Sequence, residues 1–471
     1  MSAHEPGPVL HETLLNLVGG TPLVRLRRLA DEAHARVYVK LEYFNPGGSV
    51  KDRAAAGMVA AAEASGALRR GGTIVEGTSG NTGVGLAQAA AIGGYRLITV
   101  LPDIVAREKI DTLTAYGAEV VLTAGSLPND HPDHVRNLAR RIADHTVGGW
   151  LADQYDNPAN PQAHFDTTGP EIWRDTGGAV THFVASIGTG GTISGTGRYL
   201  KQVSDGRVQV IGVDPPTSVY HGGDGSPFYT EAAGHYLHPD SVADSWPRSF
   251  HTDVPDRIDE VADRDSILTA RALATHEGLL VGGSSGLAVA GALQVARQLG
   301  PEALVVALLP DSGRNYLSKY HSPSWLHRFG FLDDDRPDAL LNAGVVGTVH
   351  SVTAEATAGA AAALLQGEGR YQPALPVVLP GRDPRFATAA AEILRLLDPA
   401  DVRAAVEQDG VDAALPPGAV PVAVGTGETA AEALARVDEV RARHAVVLRD
   451  GRSAGLVTRA ELVRLRDAAA P

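Results

Sequence analysis

Short β-branched runs alternate with helical segments along the first two thirds of this 471-residue chain, and this alternation constrains the fold most strongly. Three of the predicted strands run directly into loops of small residues, namely Gly77 to Gly83, Gly188 to Thr192 and Pro310 to Tyr316. Alternating strands and helices predict βαβ units and a mostly parallel sheet. Because open α/β sheets bind ligands at the carboxyl ends of their strands, we expect these loops to form one site.

A lysine follows a run of small residues in the segment Asn45 to Arg53, directly before an alanine-rich helical segment. Ser49 and Asp52 have the spacing of a capping box, which predicts that a helix begins there. Lys51 would lie in its first turn, where the helix dipole disfavours a charged amine. A lysine driven toward its neutral form can condense with a carbonyl group. The alternative is a solvated lysine beside a glycine turn.

Two of the loops carry groups that bind anions. Gly188 to Thr192 follows a strand and opens a helix, so its backbone N–H groups and the helix dipole favour a phosphate. Thr189 and Thr192 add hydroxyl donors that suit a phosphate monoester. The loop Thr78 to Gly83 could hold a substrate carboxylate and leave the Asn81 amide free for a ring hydroxyl. A tight turn and an N-cap turn, respectively, are the alternatives.

Composition excludes several classes of function. The formal net charge of -14 argues against nucleic-acid or anionic-membrane partners. No run of eighteen apolar residues and no apolar signal core occurs, so we expect a cytoplasmic protein without a transmembrane helix. The absence of cysteine removes disulfides, thiolate-held metals and cysteine nucleophiles. The histidines, including His221, His235 and His238, lack metal-ligand spacing, so we predict no metal.

The sequence changes character after about residue 332. We predict a catalytic domain over 1–332, a linker over 333–337 and a small α+β domain over 338–471. The last part of that domain, from Ala445 to Thr458, has the pattern of a hairpin with Asp450-Gly451 at its turn.

Several motifs occur in the order found in fold-type II pyridoxal-phosphate enzymes, and the sequence is most similar to the cystathionine β-synthase family, followed by its cysteine synthase relatives. The resemblance covers about residues 10 to 332 and implies the tryptophan synthase β-like fold, with two open parallel-sheet subdomains and a mobile small subdomain at about 45–150. It implies pyridoxal 5′-phosphate as the cofactor. The motifs are NPGGSVKDR, TSGNTG, DQYDNPANP, GTGGT, GGSSG and PDSGRNY.

The resemblance also implies residue roles. Lys51 would form the internal aldimine and move the α-proton, Asn81 would contact the cofactor's ring oxygen, and Ser312 would face the pyridine nitrogen, with Asp311 as the rival. The remaining groups are the phosphate loop (Gly188, Thr189, Gly190, Gly191 and Thr192) and the substrate-binding residues (Thr78, Ser79, Thr82, Gln154, Ala232, Ala233 and Gly234).

The implied reaction is β-replacement on L-serine by L-homocysteine, through an aminoacrylate, to give L-cystathionine. Serine needs a proton donor near its Oγ, either Lys51 or Tyr155, although Tyr155 could equally be a wall residue. Two positions depart from the family's pattern. Gly77 occurs where the family usually has Pro, and Glu231-Ala232-Ala233-Gly234 replaces the Glu-Gly-Ile-Gly segment that borders the substrate. The alternative is therefore O-acetylserine or O-phosphoserine with sulfide or an amine. A second rival is a sensor or scaffold whose catalytic site has decayed.

The C-terminal region weakly resembles a degenerate tandem cystathionine-β-synthase-domain (Bateman) module. Its last repeat, Ala445 to Leu462, is the recognisable one, and Thr458 to Glu461 carries Glu where the nucleotide-binding Thr-x-x-Asp motif has Asp. S-adenosylmethionine binding and a purely structural or dimerising role both stay open. Haem is not expected, because no cysteine and no haem-binding extension occur. A homodimer or homotetramer is implied by the resemblance alone.

Overall fold

The computed structural model describes residues 10–78, 80–103, 105, 107–125, 127–242, 244, 246–332, 336, 338–366, 372–383 and 386–469. The chain divides into two compact units. Unit 1 comprises Met1–Gly222 and Thr230–Tyr316, and unit 2 comprises Gly223–Tyr229 and Leu317–Pro471. The predicted linker over 333–337 lies outside the described residues except for Arg336, and the predicted substrate residue Ser79 lies outside them as well.

Unit 1 contains two sheets. The larger sheet has six strands in the order β1-β2-β10-β7-β8-β9, and the smaller sheet has four parallel strands in the order β5-β4-β3-β6. The strands are β1 Leu23–Arg25, β2 Arg36–Leu41, β3 Thr73–Gly77, β4 Arg96–Pro102, β5 Glu119–Thr123, β6 Gly149–Leu151, β7 His182–Ser186, β8 Gln209–Asp214, β9 Arg257–Glu260 and β10 Leu304–Leu309.

The prediction of two open parallel sheets is confirmed, with one exception at an edge. Strand β1 pairs with β2 in the antiparallel direction, whereas the other pairs of the larger sheet are parallel. Strand β10 is buried along its whole length, because helices cover both faces of a parallel sheet. The alternation of strands and helices in the sequence carried enough information for this architecture.

The helices of unit 1 include three that the sequence patterns did not predict, namely α4, α5 and α6. Prolines and short polar segments around Pro158 masked the periodicity of α5 and α6. The helices are α1 Lys51–Ser65, α2 Asn81–Gly93, α3 Arg107–Ala115, α4 Val135–His145, α5 Ala159–Asp166, α6 Thr168–Asp175, α7 Gly191–Val203, α8 Asp263–Ala272 and α9 Gly283–Ala296.

Helix α1 begins at Lys51, which confirms the predicted position of this lysine in the first turn. The predicted capping box of Ser49 and Asp52 is wrong. Ser49 Oγ instead accepts a hydrogen bond from the Lys51 N–H at 3.2 Å, and the Asp52 carboxylate accepts one from the Gly47 N–H. The carboxylate thus holds the glycine turn in front of the helix.

Unit 2 consists of two halves with the same order of elements, preceded by helix α10, Pro323–Phe329. The first half is β11 Val352–Thr353, α11 Ala358–Gln366, β12 Leu375–Val378, β13 Ile393–Leu397 and α12 Pro399–Asp409. The second half is β14 Ala423–Gly425, α13 Ala430–Glu439, β15 His444–Arg449, β16 Arg452–Thr458 and α14 Arg459–Ala469.

Both halves of unit 2 form a three-stranded sheet in which the first two strands are parallel and the last two antiparallel. Each antiparallel pair also has a register shift, at Val377/Val378 in the first half and at Val447/Leu448 in the second. Unit 2 is therefore an internal repeat, although the sequence made only its last part recognisable. Within the described ranges, none of the helices is long and apolar enough to span a membrane.

Candidate active site

Loops at the carboxyl ends of β3, β7 and β10 meet around one cavity in unit 1, as the strand order predicted. One part of the cavity, about 150 Å³, is lined by ten of the predicted site residues: Lys51, Asn81, Thr82, Gln154, Tyr155, Gly188, Thr189, Ala232, Ala233 and Gly234. An adjoining part shares several of them and adds Gly190 and Thr192. The predicted site residues Thr78, Gly191 and Ser312 are not part of the lining.

Lys51 is half-buried and lines both parts of the cavity. Burial lowers the pKa of its amine, and the charge of Asp311 opposes that shift. A lowered pKa favours the neutral form of the amine, and that form is the nucleophile for a carbonyl group. The position at the start of α1 adds to the destabilisation of the charged form.

The glycine loop before α7 forms a cradle at a helix N-terminus. Gly190 has a φ of 82°, and a side chain there would run into Phe250. Gly191 lies against the Asn160 amide, whose nitrogen donates to Thr189 Oγ1 at 3.2 Å. The backbone of this loop can therefore approach a ligand only while these positions remain glycine, and its N–H groups suit a phosphate.

Asp311 is the residue that the sequence assigned only as a rival of Ser312, and the structure places it at the centre of a hydrogen-bonded group. Its Oδ2 accepts from Asn81 Nδ2 at 2.7 Å and from the Tyr316 hydroxyl at 2.6 Å. Its Oδ1 is buried without a partner among the described residues. Burial raises the pKa of this carboxyl, and the hydrogen bonds from Tyr316 and Asn81 oppose the shift. Ser312 Oγ accepts from the Arg314 N–H at 3.3 Å.

The loop between β3 and α2 is fixed on its inner side by Gln154. Thr82 Oγ1 donates to Gln154 Oε1 at 2.5 Å, and Gln154 Nε2 donates to the Gly77 carbonyl at 3.3 Å. Thr78 Oγ1 accepts from the Gly80 N–H at 3.0 Å and is buried. Gly77 cannot easily carry a side chain, because a Cβ there would lie 2.8 Å from the Val135 carbonyl oxygen of the unpredicted helix α4.

Tyr155 lines the cavity with its pKa raised by burial, so its hydroxyl keeps its proton at neutral pH. The Arg136 guanidinium lies 4.8 Å from the centroid of its ring. Behind it, Glu76 is 1% exposed at the end of β3, and burial raises the pKa of its carboxyl to about 8. A neutral carboxyl therefore lies on the inner side of the cavity wall.

The opposite wall, Ala232 to Gly234, departs from ideal backbone geometry. Ala232 has a φ of 65°, a left-handed conformation that costs a residue with a Cβ roughly 1–3 kcal/mol. Its carbonyl oxygen would lie 2.8 Å from a Cβ at Gly188, so this wall packs directly on the phosphate loop. The Gly234 N–H donates to the Ile187 carbonyl at 2.7 Å and fixes the wall to the end of β7.

Sequence reasoning missed Lys109, which lies on α3 and forms an ion pair of 2.7 Å with Glu231 beside this wall. Its spacing from other site residues gave no signal, because the contact joins segments 122 residues apart. No group of three or more His, Asp or Glu side chains in the described part of the chain has the arrangement of a metal site.

These residues fit pyridoxal 5′-phosphate. The lysine with a lowered pKa provides an amine for its carbonyl, and the glycine cradle at the N-terminus of α7 provides N–H groups for its phosphate. Asn81 lines the same cavity as Lys51 and the glycine loop, and Asp311 fixes its amide through a hydrogen bond of 2.7 Å.

Comparisons with known proteins agree with this fit. A family model described as "Pyridoxal-phosphate dependent enzyme" matches residues 14–311. The chain is 41% identical over 321 residues to cystathionine β-synthase of Apis mellifera, and the aligned region covers 68% of this chain and 63% of that protein. It is 45% identical over 306 residues to a probable cysteine synthase of Bacillus subtilis (strain 168), and that aligned region covers 64% of this chain and 95% of that protein.

A solved structure of O-ureido-L-serine synthase superposes with a TM-score of 0.59 at 39% identity, covering 66% of this chain and 95% of that one. The chain thus spans less than two thirds of the cystathionine β-synthase it matches and nearly all of the cysteine synthase and the solved structure. The match covers the residues that line the cavity. The chain belongs to the pyridoxal-phosphate dependent enzymes, in the cysteine synthase/cystathionine β-synthase family.

Proposed function

We propose that this enzyme catalyses β-replacement on L-serine, or on an activated serine, with L-homocysteine as the nucleophile and L-cystathionine as the product. The balanced reaction from serine forms one C–S bond, breaks the Cβ–Oγ bond and releases water. The position of Tyr155 carries the choice of serine. It is a buried, protonated phenol at the cavity wall, close to Lys51 and Thr82 on the same lining.

Bound pyridoxal 5′-phosphate supplies an electron sink for the bond changes at Cα and Cβ of the amino acid. Lys51 holds the cofactor and moves the proton of Cα, since burial lowers the pKa of its amine and the residue lines the cavity. Asn81 and Ser312 orient the cofactor ring, and Asp311 keeps Asn81 in place through its 2.7 Å hydrogen bond. Gly188 to Thr192 bind the phosphate at the start of α7.

The substrate carboxylate binds to the loop between β3 and α2. Thr78, Ser79 and Thr82 form this loop, and the backbone N–H groups in the first turn of α2 are the donors, because the Thr82 hydroxyl already donates to Gln154. Ala232, Ala233 and Gly234 form the facing wall and exclude water from the side on which the nucleophile enters. Tyr155 donates its proton to the departing Oγ, because hydroxide is a poor leaving group without one.

A second candidate is O-acetylserine or O-phosphoserine with sulfide or an amine. Ala232 favours this second candidate. Its Cβ, on left-handed backbone, narrows the cavity at a position where the similar synthases have glycine. The probable cysteine synthase of Bacillus subtilis is also 45% identical to this chain. An acyl or phosphoryl leaving group would make the proton from Tyr155 dispensable.

A product assay by mass spectrometry tests the proposal. The purified chain with added cofactor is incubated with serine, O-acetylserine or O-phosphoserine, each paired with homocysteine, sulfide or ammonia. Cystathionine from serine as the dominant product supports the proposal. A dominant product from another donor and nucleophile would overturn it in favour of the second candidate.

We propose further that unit 2 is a degenerate tandem cystathionine-β-synthase-domain module with a structural role, in a homodimer or homotetramer. The repeated topology supports the first part. Glu461, which replaces the expected Asp, accepts hydrogen bonds from both the N–H and the hydroxyl of Thr458 at 2.8 Å. It caps α14 and is not free for a ribose. Calorimetry with S-adenosylmethionine should show no binding, and a micromolar affinity would overturn the structural role.

A further inference from the structure

An ion pair joins the two sides of the active-site cleft within unit 1. Lys109 lies on α3, which contacts the smaller sheet, and Glu231 immediately precedes the wall of Ala232 to Gly234. Lys109 Nζ lies 2.7 Å from Glu231 Oε2. The two side chains are 5% and 25% exposed, so both charges are largely withdrawn from water.

The lysine is also packed on the loop that we propose for the substrate carboxylate. A Cβ at Gly80 would lie 2.8 Å from Lys109 Cδ, and Gly80 has a φ of 131°. The ammonium lies 4.9 Å from the centroid of the Tyr316 ring, whose hydroxyl donates to Asp311. The positive charge of Lys109 is therefore held between the loop before α2 and the wall that starts at Glu231.

Stability alone is a weak reason for such a pair, because removing two charges from water costs about as much as their attraction returns. The pair instead presents one cation and one anion next to each other, directly before the cavity wall that starts at Ala232. A free amino acid carries the complementary arrangement, since its α-carboxylate and α-ammonium are bonded to the same carbon. Exchange of partners would leave no buried charge unpaired.

We propose that Lys109 and Glu231 form the recognition site for a zwitterionic nucleophile, with Lys109 binding its α-carboxylate and Glu231 its α-ammonium group. The proposal rests on the proposed β-replacement and deepens it, because it names the class of second substrate. Sulfide carries neither group and gains nothing from the pair. The enzyme therefore selects amino-acid thiols by the exchange of an existing ion pair.

The test measures KM and kcat of Lys109→Met and Glu231→Gln with four nucleophiles. Homocysteine carries both charged groups, 4-mercaptobutyrate only the carboxylate, 3-mercaptopropylamine only the ammonium, and sulfide neither. Lys109→Met should raise KM by about 10- to 100-fold for the two nucleophiles that carry a carboxylate, since a hydrogen bond to a charged group is lost. Glu231→Gln should raise KM by a similar factor for homocysteine and 3-mercaptopropylamine, the two nucleophiles that carry an ammonium group. For sulfide, KM of both variants should stay within about threefold of the wild-type value. Lys109→Arg keeps a cation and should therefore show a smaller rise in KM for homocysteine than Lys109→Met.

Lys201→Met is the matched control, because Lys201 forms an ion pair of the same 2.7 Å with Asp256 elsewhere in unit 1. It should leave all four KM values within error. An equal rise in KM for sulfide and homocysteine in both variants would show a merely structural pair and overturn the inference. If either variant fails to fold, the other still separates the nucleophiles by charge.

Failure of the proposed function gives a different result. A wild-type enzyme that makes no cystathionine would refute homocysteine as substrate while leaving the pair testable with cysteine, a shorter zwitterionic thiol. Loss of selectivity for cysteine over sulfide in the variants would then support the inference. Unchanged selectivity in both variants would overturn it.

Discussion

Replacing Glu76 by Gln should remove part of the pH dependence of the stability of unit 1. Glu76 lies on β3 with 1% of its surface exposed, and its Oε2 has no hydrogen-bond partner among the described residues. Burial, together with the nearby charge of Asp153, raises the pKa of the carboxyl from 4.5 to about 8. The native state therefore keeps a proton that the unfolded chain releases from pH 4.5 upward.

The sign follows from this difference in bound protons. Between pH 4.5 and 8 the native state binds more protons than the unfolded state, so the free energy of unfolding falls as the pH rises. At 1.36 kcal/mol per pKa unit the full interval corresponds to roughly 4–5 kcal/mol as an upper bound. Gln carries no titratable proton and avoids this loss.

The assay is urea unfolding of wild type and Glu76→Gln at pH 5 and pH 8.5, followed by tryptophan fluorescence. From the lower to the higher pH, the variant should gain about 2–4 kcal/mol in free energy of unfolding relative to wild type. The comparison at pH 5 controls for the shape of the new side chain, and the other titrating groups cancel in the double difference. Parallel pH profiles of the two proteins would refute a buried neutral carboxyl at this position.

Three further substitutions test the site and its support. Tyr155→Phe should lower kcat with serine about 10²-fold and with O-acetylserine less than about threefold, and equal losses in steady-state assays would contradict a proton donor. Gly190→Ala forces a Cβ into left-handed backbone against Phe250 and should weaken cofactor binding at least about tenfold in a fluorescence titration. Arg53→Met removes the cation from the two buried carboxylates that Arg53 pairs with at 2.7 Å, so the free energy of unfolding in urea should fall by about 3–5 kcal/mol. A fall of less than about 1 kcal/mol would show that these carboxylates find other partners.

Local patterns predicted the elements that bear the chemistry. The glycine loop before α7 and Lys51 at the start of α1 are short segments, and their strand–loop–helix context is contained in a few neighbouring residues. The same is true of the hairpin of β15 and β16. In each case the conformational preference of glycine or the spacing of apolar residues is enough, because the decisive interactions are local.

Patterns failed where a proline-rich segment hid a helix or where a side chain chose a different partner. Helix α5 follows Pro158 directly, and the sequence patterns did not predict it. Asp52 bonds to Gly47 rather than capping α1 with Ser49, because the glycine turn brings a backbone N–H closer to the carboxylate. Two backbone N–H donors compete for one carboxylate, and only the folded backbone decides between them.

The sequence by itself determined the α/β architecture, the position of Lys51 at the start of α1 and the glycine loop before α7, since each depends on residues close together in the chain. Only the tertiary structure decided the rest: the burial that neutralises Glu76, the hydrogen bonds that converge on Asp311 and the ion pair between Lys109 and Glu231. These depend on segments far apart in the chain. Long-range contacts form only when the sheets pack, and the desolvation and pairing that they impose leave no periodic trace in the sequence.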